Sequence, residues 1–159
     1  MSQINFLKID QIEGESKDRQ HSREIDVLSW NWAFAVSGPT SGTGRGTRGP
    51  LVSGITFSHY IDNASPKLMK ACLAQSHILR AKLSVRPEAP STFDNFTLAL
   101  DDVTVKSVNQ LALEGCNRTI ETVVIEFKKV TEEYTPTRQD GTPGQKVSTT
   151  YDISTNQVT

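Results

Sequence analysis

The chain has 159 residues, with 17 basic and 18 acidic side chains and a formal net charge of −1. That length predicts one domain whose core needs no metal or disulfide. The balanced charge shows no basic excess, which argues against a nucleic-acid partner, and no apolar run approaches the ~20 residues of a membrane-spanning helix. The opening MSQINFLKIDQIEGES has no basic stretch leading into an apolar one, so no cleavable secretory signal is expected. The chain is therefore expected to be made in the cytoplasm, and any exit would use a route without such a signal.

Residues 4–10, INFLKID, read as a short strand, followed by a polar, charged and mobile loop, ESKDRQHSR. A long strand, EIDVLSWNWAFAV, starts at Glu24. Ile25 and Val27 share one parity, whereas Trp30, Trp32, Phe34 and Val36 share the other. A period of two cannot change phase by itself, so a β-bulge is expected near Leu28–Ser29. ITFSHYID alternates Ile55, Phe57 and Ile61 against Thr56, Ser58 and Asp62 and reads as a half-buried strand. The period then becomes helical. Ser65 is the expected N-cap and Pro66 follows at the first position, with Leu68, Ala71, Cys72 and Gln75 at helical spacing, predicting a helix over about 65–77.

The remainder alternates again. Leu79, Ala81, Leu83 and Val85 oppose Arg80, Lys82, Ser84 and Arg86. Phe96, Leu98 and Leu100 shift phase to Val103 and Val105, which predicts a second bulge near Asp101–Asp102. Val123, Ile125 and Phe127 mark another strand, and KVSTTYDIS a last one. Bulged strands, one helix and no βαβ alternation predict a mostly β fold: a closed or nearly closed antiparallel barrel with one accessory helix.

The segment SGPTSGTGRGTRGP, residues 37–50, contains Gly44, Gly46 and Gly49 at the G-x-G-x-x-G spacing of a dinucleotide-binding turn. That turn works because a helix opens after the last glycine and faces the pyrophosphate. Here Pro50-Leu51-Val52 leads into a strand, so the segment reads instead as a long basic arm. The three histidines, His21, His59 and His77, have no metal-ligand spacing, and no nucleophile elbow occurs. No catalytic residue, metal or cofactor is expected, and the chain is read as a non-enzyme. Cys72 and Cys116 are expected to be buried reduced thiols.

Five segments carry a resemblance. LKIDQIEGES at 7–16, EIDVLSWNW at 24–32, FSHYIDNASPKLMKAC at 57–72, LALDDVTVKSV at 98–108 and VTEEYTP at 130–136 resemble the haemolysin-coregulated protein (Hcp) family of type VI secretion. The likeness runs through nearly the whole chain, in order, and is weakest in the Gly-rich arm and at 109–119.

The resemblance implies a phage-tail-tube-like β-barrel that closes into homo-hexameric rings. Such rings stack into an inner tube, which a contractile sheath drives out of the cell together with a spike. Their lumen also holds effector proteins. It implies a cytoplasmic protein that is then secreted without a cleavable signal peptide. Some relatives carry a C-terminal toxin domain, for which the residues after Pro136 are too few. Two other readings stay open: a free-ring effector carrier or chaperone that rarely forms tubes, and a small-ligand-binding β-barrel with Trp30 and Trp32 on its cavity wall. The core is the preferred place for those two rings.

Two expectations about surfaces follow. Ser29 and Asn31, with Ala33 and Ala35, alternate against the aromatic set and are expected to line the lumen as small, uncharged side chains. Within the implied extended loop, Gly44, Arg45, Gly46, Thr47, Arg48 and Gly49 are the expected ring-stacking contact, with the arginines meeting carboxylates in the 13–18 turn of the next ring.

Overall fold

Alternating side chains build most of the described residues, 2–38 and 49–159 of this computed structural model, into strands. In chain order the elements are β1 (Gln3–Ile9), β2 (Ile25–Val27), β3 (Ser29–Asn31), β4 (Phe34–Ser37), β5 (Gly49–Val52), β6 (Ile55–Tyr60), α1 (Ser65–Leu73), β7 (Ile78–Pro87), β8 (Phe96–Leu111), β9 (Ile120–Glu126), β10 (Lys129–Tyr134), β11 (Val147–Asp152) and β12 (Gln157–Val158). The fold is mostly β with one helix, and its ladders are antiparallel. One path runs β12-β11-β10-β8-β7-β1-β2, and a second leaves the far half of β8 as β8-β9-β6-β3.

Two bends join these paths. In β8, Phe96–Asp101 pair with β10, while Thr104–Leu111 pair with β9. Between them Asp102 takes a φ of 53°, a left-handed conformation that Asp tolerates better than most residues. The β7–β8 register runs on unchanged past Asp102, so no bulge stands at Asp101–Asp102. The register shift in β8 itself falls later, against β9, between Val105 and Ser107. The phase shift expected at Asp101–Asp102 is nonetheless real. It also explains a departure: Leu79, opposite this kink, is 72% exposed rather than inward, and Ile78 takes its place in the core.

The other bend is at Leu28, which stands outside both flanking strands and donates its N–H to Ser58 O at 2.8 Å. The single long strand expected over 24–36 is thus three: β2 pairs with β1, β3 with β6, and β4 with β5 in a separate two-stranded hairpin.

One hydrophobic cluster draws on both paths and includes Leu7, Ile25, Phe57, Leu83, Leu98 and Ile125. Burying each such side chain contributes about 1.5–3 kcal/mol. On β6 the inward set is Ile55, Phe57 and His59. Ile61, expected to continue the apolar series, lies beyond the strand end and is exposed.

Helix α1 starts and stops differently from expectation. Ser65 is not the cap. Asp62 Oδ1 accepts the Ala64 N–H at 2.8 Å, and Ser65 Oγ accepts the Asp62 N–H at 3.1 Å, a reciprocal arrangement of capping-box type. At the other end Gln75 has a φ of 52° and the Ser76 N–H reaches Ala71 O at 3.0 Å, so the helix closes at Leu73 rather than near 77. That left-handed stop is usually made by Gly, and its absence from the sequence hid the boundary. Both cysteines are free; Cys72 is half-buried and Cys116, contrary to expectation, is exposed.

Candidate assembly surface

The β4–β5 hairpin projects three large apolar side chains into solvent: Phe34 and Val36 are 64% exposed and Leu51 is 56% exposed. The parity of Phe34 and Val36 with Trp30 and Trp32 had suggested a shared buried face. Among the described residues the hairpin pairs with no other strand, so that face runs off the core. Between it and β10–β12 lies an apolar cleft of about 580 Å³, lined chiefly by Trp32, Phe34, Val36, Val52, Tyr151 and Val158. Trp32 anchors the hairpin root, donating its indole N–H to Ser53 O at 3.1 Å with its ring 4.7 Å from Phe34 and 6.1 Å from Phe127. Trp30 turns towards the body, stacking 5.9 Å from Phe96 and donating to Asn5 Oδ1 at 3.2 Å. Both rings pack against the core, and Trp32 also lines this outer cleft.

The opposite character appears on the outer face of β3, β6, β9 and β8. The pairings Ser29↔Ser58, Ser58↔Thr122 and Thr122↔Asn109 set four small polar residues side by side across four strands. Asn31↔Thr56, Thr56↔Val124 and Val124↔Ser107 make a neighbouring row. Ser58 Oγ and Thr122 Oγ1 are 3.2 Å apart and share a hydrogen bond. Neither row holds a charge. Ser29 and Asn31 are exposed members of this face, as are Ser107 and Asn109. The sequence reading found only the β3 part. Its partners were visible in the polar phase of their own strands, but strand adjacency was needed to bring them together.

Other expected residues divide as follows. Gly44, Arg45, Gly46, Thr47 and Arg48 lie outside the described residues. Gly49 is a strand residue opposite Ser37, whose Oγ donates to Gly49 O at 3.2 Å.

The 13–18 turn is built from contacts the sequence did not reveal. A Cβ on Gly14 would lie 2.6 Å from Glu24 O and 2.7 Å from Ile25 Cα, so only glycine fits against that backbone. Asp18 is bound by the Arg86 guanidinium, which holds its carboxyl at about 2, and Arg86 also lies 5.3 Å over the Phe6 ring. Glu13 stands 3.7 Å from Arg23 at the surface, and Glu15 is exposed. The loop expected to be mobile is instead tied down. His21 is buried, stacked 4.2 Å from Phe6, with ring nitrogens 2.8 Å from Glu24 and 2.9 Å from Asp94.

Comparison with known proteins agrees with this geometry. The family profile described as type VI secretion system effector, Hcp, matches residues 6–134. Protein Hcp1 of Pseudomonas aeruginosa is 36% identical over 138 residues, covering 86% of this chain and 85% of that protein. A solved structure of a type six secretion system protein matches with a TM-score of 0.92 at 26% identity, over 99% of this chain and 100% of that one. The crystal structure of Hcp1 from Salmonella typhimurium matches with a TM-score of 0.81 at 31% identity, over 100% of both chains. The profile's span and the identity to the Pseudomonas protein settle the family: this chain belongs to the Hcp family of type VI secretion.

Proposed function

We propose that the chain is a structural subunit of the type VI inner tube, not an enzyme, and that six copies close into a ring whose lumen is walled by the uncharged face. The observation that carries this reading is one surface divided in character: two uncharged rows across four strands, bordered by the Lys106–Glu126 ion pair, beside an apolar hairpin that a single copy leaves uncovered. Uncovered apolar side chains of this size favour a partner surface, and a ring of identical copies supplies one by repeating a heterologous contact. Within each copy the strands form a barrel. Among the described residues no ladder joins β2, at the end of one path, to β3, at the end of the other. The two are consecutive in the chain, and the Leu28–Ser58 hydrogen bond, made by the residue between them, supports reading the open ends as neighbours. The barrel's interior is occupied by side chains such as Phe57, Leu83 and Leu98, which argues against a small-ligand barrel.

Ser29 and Asn31 then face the lumen, where small neutral side chains let an effector protein lodge without strong adhesion. The same wall serves a free ring that carries cargo and a stacked tube. The segment 39–48 joins β4 to β5, and Arg45 and Arg48 within it make the ring-to-ring contact. Since Asp18 is engaged by Arg86 and Glu13 stands 3.7 Å from Arg23, the exposed Glu15 is the carboxylate of the 13–18 turn left to receive them. The chain leaves the cell by the secretion apparatus itself, with spike and sheath as its partners.

Native mass and negative-stain imaging test the ring. A species of about six times the 17.5 kDa chain, seen as a ring with a central hole, is expected. A single-chain mass at micromolar concentration overturns the proposal. Stacked rings distinguish the tube from the free carrier. For the stacking contact, Arg45→Glu with Arg48→Glu should leave rings that no longer stack, and unchanged stacking discards it. Each exposed ion pair is worth only about 0–1 kcal/mol, so stacking should also weaken with salt while the ring survives.

A further inference from the structure

We propose that His59, Glu121 and Asp62 form a proton-holding latch that fastens the start of α1 to the β6–β9 ladder, and that loss of the His59 proton at rising pH releases it. The surfaces described above do not use this cluster, and the proposal stands whether or not the chain assembles.

His59 and Glu121 face each other across the ladder, in inward positions otherwise held by Ile55, Phe57, Val123 and Ile125. Both residues are 0% exposed. His59 Nε2 donates to Glu121 Oε1 at 2.9 Å, and Gln110 Nε2 of β8 donates to Glu121 Oε2 at 2.7 Å. The other ring nitrogen, Nδ1, has no hydrogen-bond partner and lies 3.7 Å from Asp62 Oδ1. That same Asp62 oxygen accepts the Ala64 N–H at the helix start. The imidazole therefore stands between a fully buried carboxylate and the carboxylate that holds the turn leading into α1.

Two anions in this position need a cation, because a buried charge without a partner costs several kcal/mol. Among the described residues, the groups around His59 supply no other. From β9 comes Glu121, from the β6–α1 turn Asp62, and from β8 the neutral Gln110. Within β6 the Phe57 ring lies 5.7 Å from His59, and the buried residues of α1, Ser65, Leu68 and Ala71, are uncharged. Burial works against a charge on His59, but Asp62 and Glu121 outweigh it and raise the imidazole above its ordinary 6.5.

The sign follows from linkage. A histidine raised in the folded state contributes stability that is complete below its unfolded value and is lost as pH rises through its folded one. After deprotonation one tautomer still donates from Nε2 to Glu121. Nδ1 then turns a lone pair towards Asp62, so the contact that weakens is the one at the helix start. The β6–β9 backbone ladder does not depend on that proton.

The test uses the full chain, with imidazole NMR to follow His59 separately from His21 and His77, and amide exchange to follow the first turn of α1. His59 is expected to titrate above 6.5. Protection of the Leu68 N–H, which donates to Ala64 O at 2.8 Å, is expected to fall as pH rises through that titration. The loss of protection should track that titration, after correction for intrinsic exchange. In His59→Gln, whose amide can still serve Glu121, the profile should be flat. In Glu121→Gln the His59 titration should move down. A His59 that titrates at or below 6.5, a wild-type profile that matches His59→Gln, or an unmoved His59 in Glu121→Gln would each overturn the latch.

Discussion

The outer face of β3, β6, β9 and β8 and the β4–β5 hairpin both lie on the surface, yet one copy of the chain satisfies only the first. Ser29, Ser58, Thr122 and Asn109 can hydrogen-bond to one another or to water, and Ser58 and Thr122 already do so. Phe34, Val36 and Leu51 have no such recourse and are left in solvent. The difference is one of sheet membership. β3 is held by β6 and its polar phase faces outward, whereas β4, among the described residues, pairs only with β5 and carries the same aromatic phase away from the core. A surface that is soluble alone suits a channel wall, and a surface that is not suits a seam between copies.

The sharpest way to break that comparison is to make the hairpin soluble. Phe34→Asp with Val36→Asp should reduce the assembly to single chains while circular dichroism stays that of the parent. A surviving ring would show that the seam lies elsewhere.

Trp32 links the hairpin to the body through Ser53, Phe34 and Phe127. Trp32→Ala should cost up to about 3 kcal/mol in denaturant unfolding, at or below the lower end of the range for a core aromatic because Trp32 is only half-buried, and should weaken assembly as well. Stability loss without any change in assembly would separate the hairpin root from the seam.

Arg86 lies away from both surfaces and offers a control. Removing its bond to Asp18 in Arg86→Ala should cost about 1–3 kcal/mol without altering the mass of the single ring, whereas stacking, which uses the 13–18 turn, is not the control. Asp18 is held at about 2, below its ordinary 3.8, so the stability it contributes is present above 3.8 and is lost as pH falls through about 2. Acid titration of the parent should show that loss, and Arg86→Ala should lack it.

The smallest expected effect on stability is at the wall. Ser29→Trp with Asn31→Trp should change unfolding free energy by no more than about 0.5 kcal/mol, as for exposed sites. The ring should persist, and the amount of effector protein that copurifies with it should fall. Loss of the ring would place these residues at a seam and reverse the assignment of the two surfaces.

Local pattern alone carried much of this protein. The phase changes near Leu28 and Asp102 were legible because a period of two cannot shift without a backbone irregularity, and both bends are present. The strands at β6, β7, β8 and β9 followed from their alternation, and the family from five short segments in order. The same pattern failed where a neighbour in space decides. Leu79 is apolar and in phase, but the kink at Asp102 opposite turns it out. The helix end was missed because Gln75, not Gly, takes the left-handed turn.

What the sequence determined by itself is which residues of an uninterrupted strand share a side, since between bends that depends only on pleat and period. What only the tertiary structure decided is which residue stands opposite. His59 meets Glu121 62 positions away, and His21 meets Asp94 73 positions away. Both histidines looked like isolated polar residues because no local periodicity records the partner strand or its register. The uncharged face has the same origin. Its rows were scattered through four segments, and ladder pairing alone made them one surface.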